Sequence, residues 1–153
     1  MAAGLQDQLE RLQLLHRIGV ALSSERDRDR LIELILLEAK AFCHADGGTL
    51  YLRTDDDHLK FAIMRTDSLG IALGGTTGRN IDLPPIPMFL GPQKVPNHNN
   101  VATYCALMQE SVHVPDAYDA EGFDFSGTKA FDGHNNYRST SFFTVPLVNS
   151  EGR

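Results

Sequence analysis

The hydrophobic period of this chain changes at Asp46-Gly47-Gly48, and that change limits what it can fold into. Before it, apolar residues recur every three or four positions; after it, they alternate. Leu5, Leu9, Leu12, Leu15 or His16, Ile18 or Gly19, and Leu22 make an amphipathic helix that ends at Ser23-Ser24, where hydroxyls compete for backbone groups. A second helix is predicted from Asp27 or Asp29, whose carboxylates suit a positive helix N-terminus. Its inner face is Leu31, Ile35, Leu36, Ala39 and Phe42. Thr49-Leu50-Tyr51-Leu52-Arg53 then reads as a strand, Thr54-Asp55-Asp56-Asp57-His58 as a solvated turn, and residues 59–64 as the returning strand. A further strand covers residues 69–73.

Residues 74–100 carry Gly, Pro and Asn throughout. Repeated Pro removes backbone donors and blocks regular helix, so this stretch is expected as a long loop of the kind that carries function. Asn97 or Asn99 is expected to cap a helix over residues 101–110, with Val101, Tyr104, Cys105 and Met108 on one face. Residues 112–114 form a short strand stopped by Pro115, and residues 142–148 an apolar strand. Asn149-Ser150-Glu151-Gly152 is a hairpin turn that calls for a returning strand, so the sequence is expected to be truncated before its final strand.

Composition excludes several classes. The excess of 20 acidic over 14 basic residues leaves a formal charge of -6 and no clustered basic face for nucleic acid. No apolar run reaches the ~20 residues of a spanning helix, and the first residues lack the plan of a signal peptide, so a cytoplasmic protein without membrane insertion is expected. Cys43 and Cys105 read as buried free thiols. The histidines are scattered without zinc-like spacing, so no metal site is expected. There is no Gly-x-Ser-x-Gly elbow and no GxxxxGK[ST] loop, and no catalytic residue is assigned. Function is expected to come from binding.

The candidate binding segment is residues 112–145, where polar residues surround Tyr118, Phe123, Phe125, Phe131 and Tyr137. Asp116 either organises the turn after Pro115 or faces a ligand. Lys129 and Asp132 bracket Phe131 at salt-bridge spacing on a helix. Asn136 suits a left-handed turn position. Arg138, Ser139 and Ser141 lead into the last strand, facing either a pocket or solvent.

Taken together, Ala21-Leu22-Ser23-Ser24, Gly48-Thr49-Leu50-Tyr51-Leu52, Asp67-Ser68-Leu69, Asn100-Val101-Ala102, Pro115-Asp116-Ala117-Tyr118, Phe123-Asp124-Phe125-Ser126-Gly127-Thr128-Lys129, Phe131-Asp132 and Tyr137-Arg138-Ser139-x-Ser141 resemble a GAF domain. The resemblance covers essentially the whole chain and looks closest to the bacterial GAF domains attached to cyclic-nucleotide phosphodiesterases, cyclases or histidine kinases. It implies an α+β, PAS-related fold. A central antiparallel sheet of five to six strands would carry helices on one face and a ligand-pocket cap on the other, with the final strand absent here. Residues 1–24 would be a signalling and dimerisation helix and residues 25–153 the domain. The implied function is small-molecule sensing, with a cyclic nucleotide (cAMP or cGMP) as ligand, a homodimer through the N-terminal helix, and an output domain in cis. The ligand-binding residues would be Ser68, Asn100, Tyr104, Asp116, Phe125, Thr128 and Ser139. Cyclic-nucleotide-binding relatives carry a structural lock that Lys129, Phe131 and Asp132 would supply; Thr128 stands where their Asn would be. The alternative is a ligand-free dimerisation module. The first helix serves either reading, since its stripe can meet its own domain or a copy of itself.

Overall fold

Helix α1 (Ala2–Ser24) opens the computed structural model, which describes residues 2–152. It ends as its serines predict: the Ser23 and Ser24 hydroxyls donate back to the carbonyls of Gly19 and Val20 at 2.7 and 3.0 Å. Glu25 accepts the N–H groups of Arg26 and Asp27, each at 2.9 Å, which breaks the helix. Asp27 caps α2 (Arg28–Phe42), accepting the Arg30 N–H at 3.0 Å.

The inner face of α2 differs from expectation. Leu36 and Lys40 are its buried residues, and Ala39 and Phe42 are exposed. Lys40 goes inside because its Nζ meets the Asp67 carboxylate and the carbonyls of Ala45 and Asp46. A buried ammonium is tolerated only with such partners. Cys43, expected inside, is exposed at the end of α2, whereas Cys105 is buried.

Strands β1 (Gly47–Arg53), β2 (His58–Thr66) and β3 (Ile71–Gly74) lie side by side in that order. β2 and β3 are antiparallel, with Ile63 opposite Gly74 and Thr66 opposite Ile71. Gly74 has φ 74°, and a Cβ there would come within 2.0 Å of the Ala62 carbonyl oxygen, so no other residue fits. β4 (Ile86–Pro87) also pairs antiparallel with β2, His58 opposite Pro87. Among the described residues the sheet therefore has four strands, not five to six.

Later strands pair among themselves. β5 (Phe89–Leu90) meets β6 (Val95–Pro96), and β7 (Val112–Val114) meets β8 (Phe142–Thr144). Pro87, Pro96 and Pro115 lack the donors that would lengthen β4, β6 and β7. The expected strand 142–148 stops at Thr144, just before Pro146. Residues 74–100 are more ordered than a loop: besides β4 to β6 they form a 3-10 turn at Gly75–Thr77 and bury Met88 completely. The Met88 N–H donates to Asp57 and its carbonyl accepts from Asn97.

Helix α3 (Val101–Met108) is capped by Asn100, not Asn97 or Asn99. Asn97 is occupied elsewhere, its side chain donating to the Pro87 carbonyl at 2.8 Å. Helix α4 (Ser126–Asn135) ends at Asn136, left-handed at φ 49° as its residue type allows.

The chain divides into two units, Met1–Tyr51 with Phe61–Leu83, and Leu52–Lys60 with Pro84–Arg153. Leu36, Leu50 and Ile63 are buried in the first; Leu59, Met88, Val114, Ala117 and Phe125 in the second. With four helices and antiparallel ladders among the described residues, the protein is α+β. Among the described residues no helix is long and apolar enough to cross a membrane.

Candidate functional site

The candidate site lies in the second unit, on the loop after β7, on α4 and on the approach to β8. Pro115 ends β7, and Asp116 folds the chain back by accepting the Tyr118 N–H at 3.0 Å. Ala117 is buried and donates its N–H to the Thr140 carbonyl at 2.8 Å. Asp124 starts α4 by accepting the Ser126 N–H at 2.8 Å.

Asp132 is the centre of this arrangement. It is 2% exposed and accepts hydrogen bonds from the Tyr118 hydroxyl (2.8 Å), the Ser139 N–H (2.8 Å) and the Ser139 hydroxyl (2.7 Å). Burial pushes its pKa up; the bonds from Ser139 and Tyr118 and the charge of Arg138 outweigh that and hold it below the ordinary value. The bond to Asp132, with burial, raises the Tyr118 pKa in turn.

Above the Tyr118 ring stands the Arg138 guanidinium, 4.1 Å from its centroid, with Lys129 Nζ at 5.3 Å. Arg138 also grips Asp116 with both nitrogens, at 3.1 and 3.0 Å. This fork lowers the Asp116 pKa, chiefly through the hydrogen bond, and raises that of Arg138. The expected pairing of Lys129 with Asp132 is not made. Asp132 is held by Tyr118 and Ser139, and Lys129 faces the Tyr118 ring instead of the carboxylate. Phe131 packs on Tyr137, ring centres 6.3 Å apart.

A row of aromatic rings runs beside it. His98 meets Tyr104 at 5.4 Å, Tyr104 meets Phe123 at 5.4 Å, Phe123 meets Phe125 at 6.4 Å and Phe125 meets Phe142 at 5.4 Å. All but the tilted Phe125–Phe142 pair are edge-to-face, the arrangement that ring quadrupoles favour.

The predicted ligand residues are placed as follows. Phe125 is 5% exposed and packs with Val114 and Ala117. Tyr104 and Thr128 are half-buried, on α3 and α4. Asn100 accepts the N–H groups of Ala102 and Thr103. Asp116 is tied to Arg138, and Ser139 to Asp132. Ser68 belongs to the other unit, where its hydroxyl donates to Asp46 at 2.6 Å. Two surface grooves of about 520 and 510 Å³ include none of the seven in their linings; His16, Gly19 and Val20 line the first, Leu37, Lys40 and Asp67 the second. Among the described residues no three His, Cys, Asp or Glu side chains gather as metal ligands.

Sequence reasoning missed the ion pair of Glu33 and Arg65 in the first unit. Arg65 also donates to the carbonyls of Met64 and Leu73, at 2.9 and 2.8 Å, and Glu33 accepts from Thr76. The available signal was Arg65 itself, a cation in strand register with Ile63.

No protein-family model matches this sequence, and no curated protein does. Solved structures match over 92% of the chain. One is the GAF domain of a phosphoenolpyruvate-protein phosphotransferase from Coxiella burnetii, at 10% identity and TM-score 0.62, covering 71% of that chain. Another is the GAF domain of the Acinetobacter phosphoenolpyruvate-protein phosphotransferase, at 14% identity and TM-score 0.56, covering 70%. The chain has the GAF fold. Residues 122 to 287 of a methyl-accepting chemotaxis protein are also similar, at 17% identity and TM-score 0.55, with 77% of that chain covered. The GAF fold hosts many sites, so the roles of Asp116, Tyr118 and Asp132 rest on their own contacts.

Proposed function

We propose that this chain is a regulatory domain of a cytoplasmic signal-transduction protein, which senses a small molecule and controls an output domain joined to it. The observation that carries this reading is the fold, shared with GAF domains of two phosphotransferases and with part of a chemotaxis protein. The proposed ligand is a cyclic nucleotide, cAMP or cGMP. Half-buried Tyr104, between His98 and Phe123, offers a ring face for the base. Exposed Lys129 offers positive charge for the cyclic phosphate. Ligand binding would bias the domain between two states by its differential affinity for them.

One observation favours a second reading, a ligand-free interaction module. Asn100, Asp116, Phe125, Ser68 and Ser139 are already engaged in a cap, an ion pair, a core and two hydrogen bonds. Native mass spectrometry of the purified chain, followed by calorimetric titration with cAMP and cGMP, separates the two. Saturable binding that Tyr104→Ala weakens supports the sensor. A chain with no bound mass and no heat leaves the interaction module.

A further inference from the structure

In the second unit the Tyr104 ring is covered, and its two covers are held differently. His98 and Phe123 each set an edge contact on it, with ring centres 5.4 Å away. His98 stands in a braced segment. Its own N–H donates to the Pro96 carbonyl at 3.1 Å, the Asn97 N–H to that of Met88 at 2.8 Å, and the Asn99 N–H to the Asn97 side chain at 3.3 Å. Phe123 has no such bracing. Among the described residues, residues 120–123 neither donate nor accept a hydrogen bond. Packing holds them instead: Phe123 lies on Tyr104 and, at 6.4 Å, on Phe125, and Ala120 joins it against Val114 and Ala117. Neither surface groove is lined by Tyr104 or Phe123, so the aromatic row is closed.

We propose that residues 119–124 are a lid, closed in this structure, and that Phe123 is its plug, the side chain whose withdrawal uncovers Tyr104 for a planar ligand ring. The proposal rests on the sensor reading for what the opening admits; the opening itself stands without it.

The lid lies between two fixed ends. Before it, Arg138 grips Asp116, and Asp132 holds the Tyr118 hydroxyl. After it, Phe125 is buried in the core. Gly122, at φ 91°, is next to the plug, and a Cβ there would meet nothing within 4 Å, so the backbone turns at this point without collision. Asp119, Glu121 and Asp124 are exposed already, so opening carries no charge out of the protein. What opening gives up is the ring contacts of Phe123 and one bond, from the Asp124 N–H to the Asn99 carbonyl at 2.7 Å. Segments with few buried contacts and few hydrogen bonds form the low-stability end of a fold, from which lids are drawn.

The plug also defines what replaces it. Phe123 meets Tyr104 at 76°, the edge-to-face contact that any planar aromatic ring can make. A ligand ring that takes this contact makes the minor, open state the dominant one.

Amide hydrogen exchange of the whole chain, followed by NMR as urea rises toward the unfolding transition, tests the lid with no ligand present. The Asp124 N–H should exchange through a local opening that urea does not speed. The Ala117 N–H, which donates to Thr140 from the fixed end, should exchange only through unfolding that urea does speed. Phe123→Ala removes two ring contacts and should quicken Asp124 exchange about tenfold, still without response to urea. Asp124 exchange that rises with urea in step with Ala117 overturns the lid, and an Asp124 rate unmoved by Phe123→Ala overturns the plug. Calorimetric titration of both chains with cAMP and cGMP then reads what is admitted. If a nucleotide binds, Phe123→Ala should tighten it about tenfold, because the open state is no longer the minor one. Weaker binding would make Phe123 a ligand contact and overturn the plug. No heat from either nucleotide on either chain refutes the cyclic-nucleotide ligand, with the lid decided by exchange alone.

Discussion

The Tyr118 hydroxyl donates to the buried Asp132 carboxylate at 2.8 Å, tying the loop after β7 to α4 across fourteen positions of sequence. Ser139 supplies two more donors to the same carboxylate from the far side of α4. Asp132→Ala would strand three donors around an empty site. Unpaired polar groups of this kind cost more than the bond itself, so the loss should be about 3 kcal/mol in urea denaturation. A loss within error would mean that water replaces the carboxylate without cost.

Acid should act through the same residue. Burial raises the Asp132 pKa, its hydrogen bonds lower it more, and the folded value lies below the ordinary 3.8. The folded state then favours the charged form. Asp132 contributes its full stability above the unfolded value of 3.8, and that contribution is lost as the pH falls through the lower folded value. Asp116 is lowered too, by Arg138. The comparison of Asp132→Asn with the parent chain isolates the first group. The parent should lose more urea resistance below pH 4 than the variant, and parallel acid limbs would remove Asp132 from the account.

Glu33 and Arg65 form a second network, in the first unit. Arg65 is 8% exposed and its partner nearly as buried. Arg65→Met alone leaves the Glu33 charge inside without its cation, which should cost about 3–5 kcal/mol. Glu33→Leu with Arg65→Met removes both charges and should recover most of that. A double-mutant cycle in urea measures the coupling, and additive losses would show that the pair is not coupled.

Local signals in this chain were legible and distant ones were not. Ser23-Ser24, Asp27 and Asn136 act on backbone within one turn, so both helix junctions and the left-handed turn after α4 could be read from residue type. The cap of α3 could not: Asn97, Asn99 and Asn100 are chemically equal in sequence, and Asn97 is excluded only by its bond to Pro87. Lys129 and Asp132 have helical salt-bridge spacing, yet Asp132 takes partners from Tyr118 and Ser139, which no spacing rule connects to it. Lys40 is buried on a helix whose exposed Phe42 looked more suited to the core, because Asp67 and two carbonyls come to it from other segments. The strand count was overestimated since prolines shorten the strands that pair outside the main sheet.

Asn100 gives a direct separation of structural from ligand-binding roles. Its Oδ1 accepts from Ala102 at 2.9 Å and from Thr103 at 3.2 Å. Asn100→Ala should lower stability by about 1 kcal/mol, the usual cost of a lost N-cap, and Asn100→Asp should keep most of it. Thermal unfolding of the two variants is the check. Equal losses would indicate that the amide, not the acceptor oxygen, is what the site needs.

Phe125 and Tyr104 share one row of rings but differ in burial, and substitution should expose the difference. Phe125 is 5% exposed, and it packs against Val114, Ala117 and the Phe142 ring at 5.4 Å. Phe125→Ala empties that space, at about 3–5 kcal/mol. Tyr104 is half-buried, with edge contacts to His98 and Phe123 at 5.4 Å each. Tyr104→Ala should cost roughly 1 kcal/mol, the scale of such ring pairs. Urea midpoints for both variants settle the order. With that order, were the proposed cyclic-nucleotide binding found, its loss in Phe125→Ala would report unfolding, whereas its loss in Tyr104→Ala would support Tyr104 as the proposed stacking ring. The reverse order would move the core of this unit from Phe125 to Tyr104 and make Phe125 the residue to test for stacking.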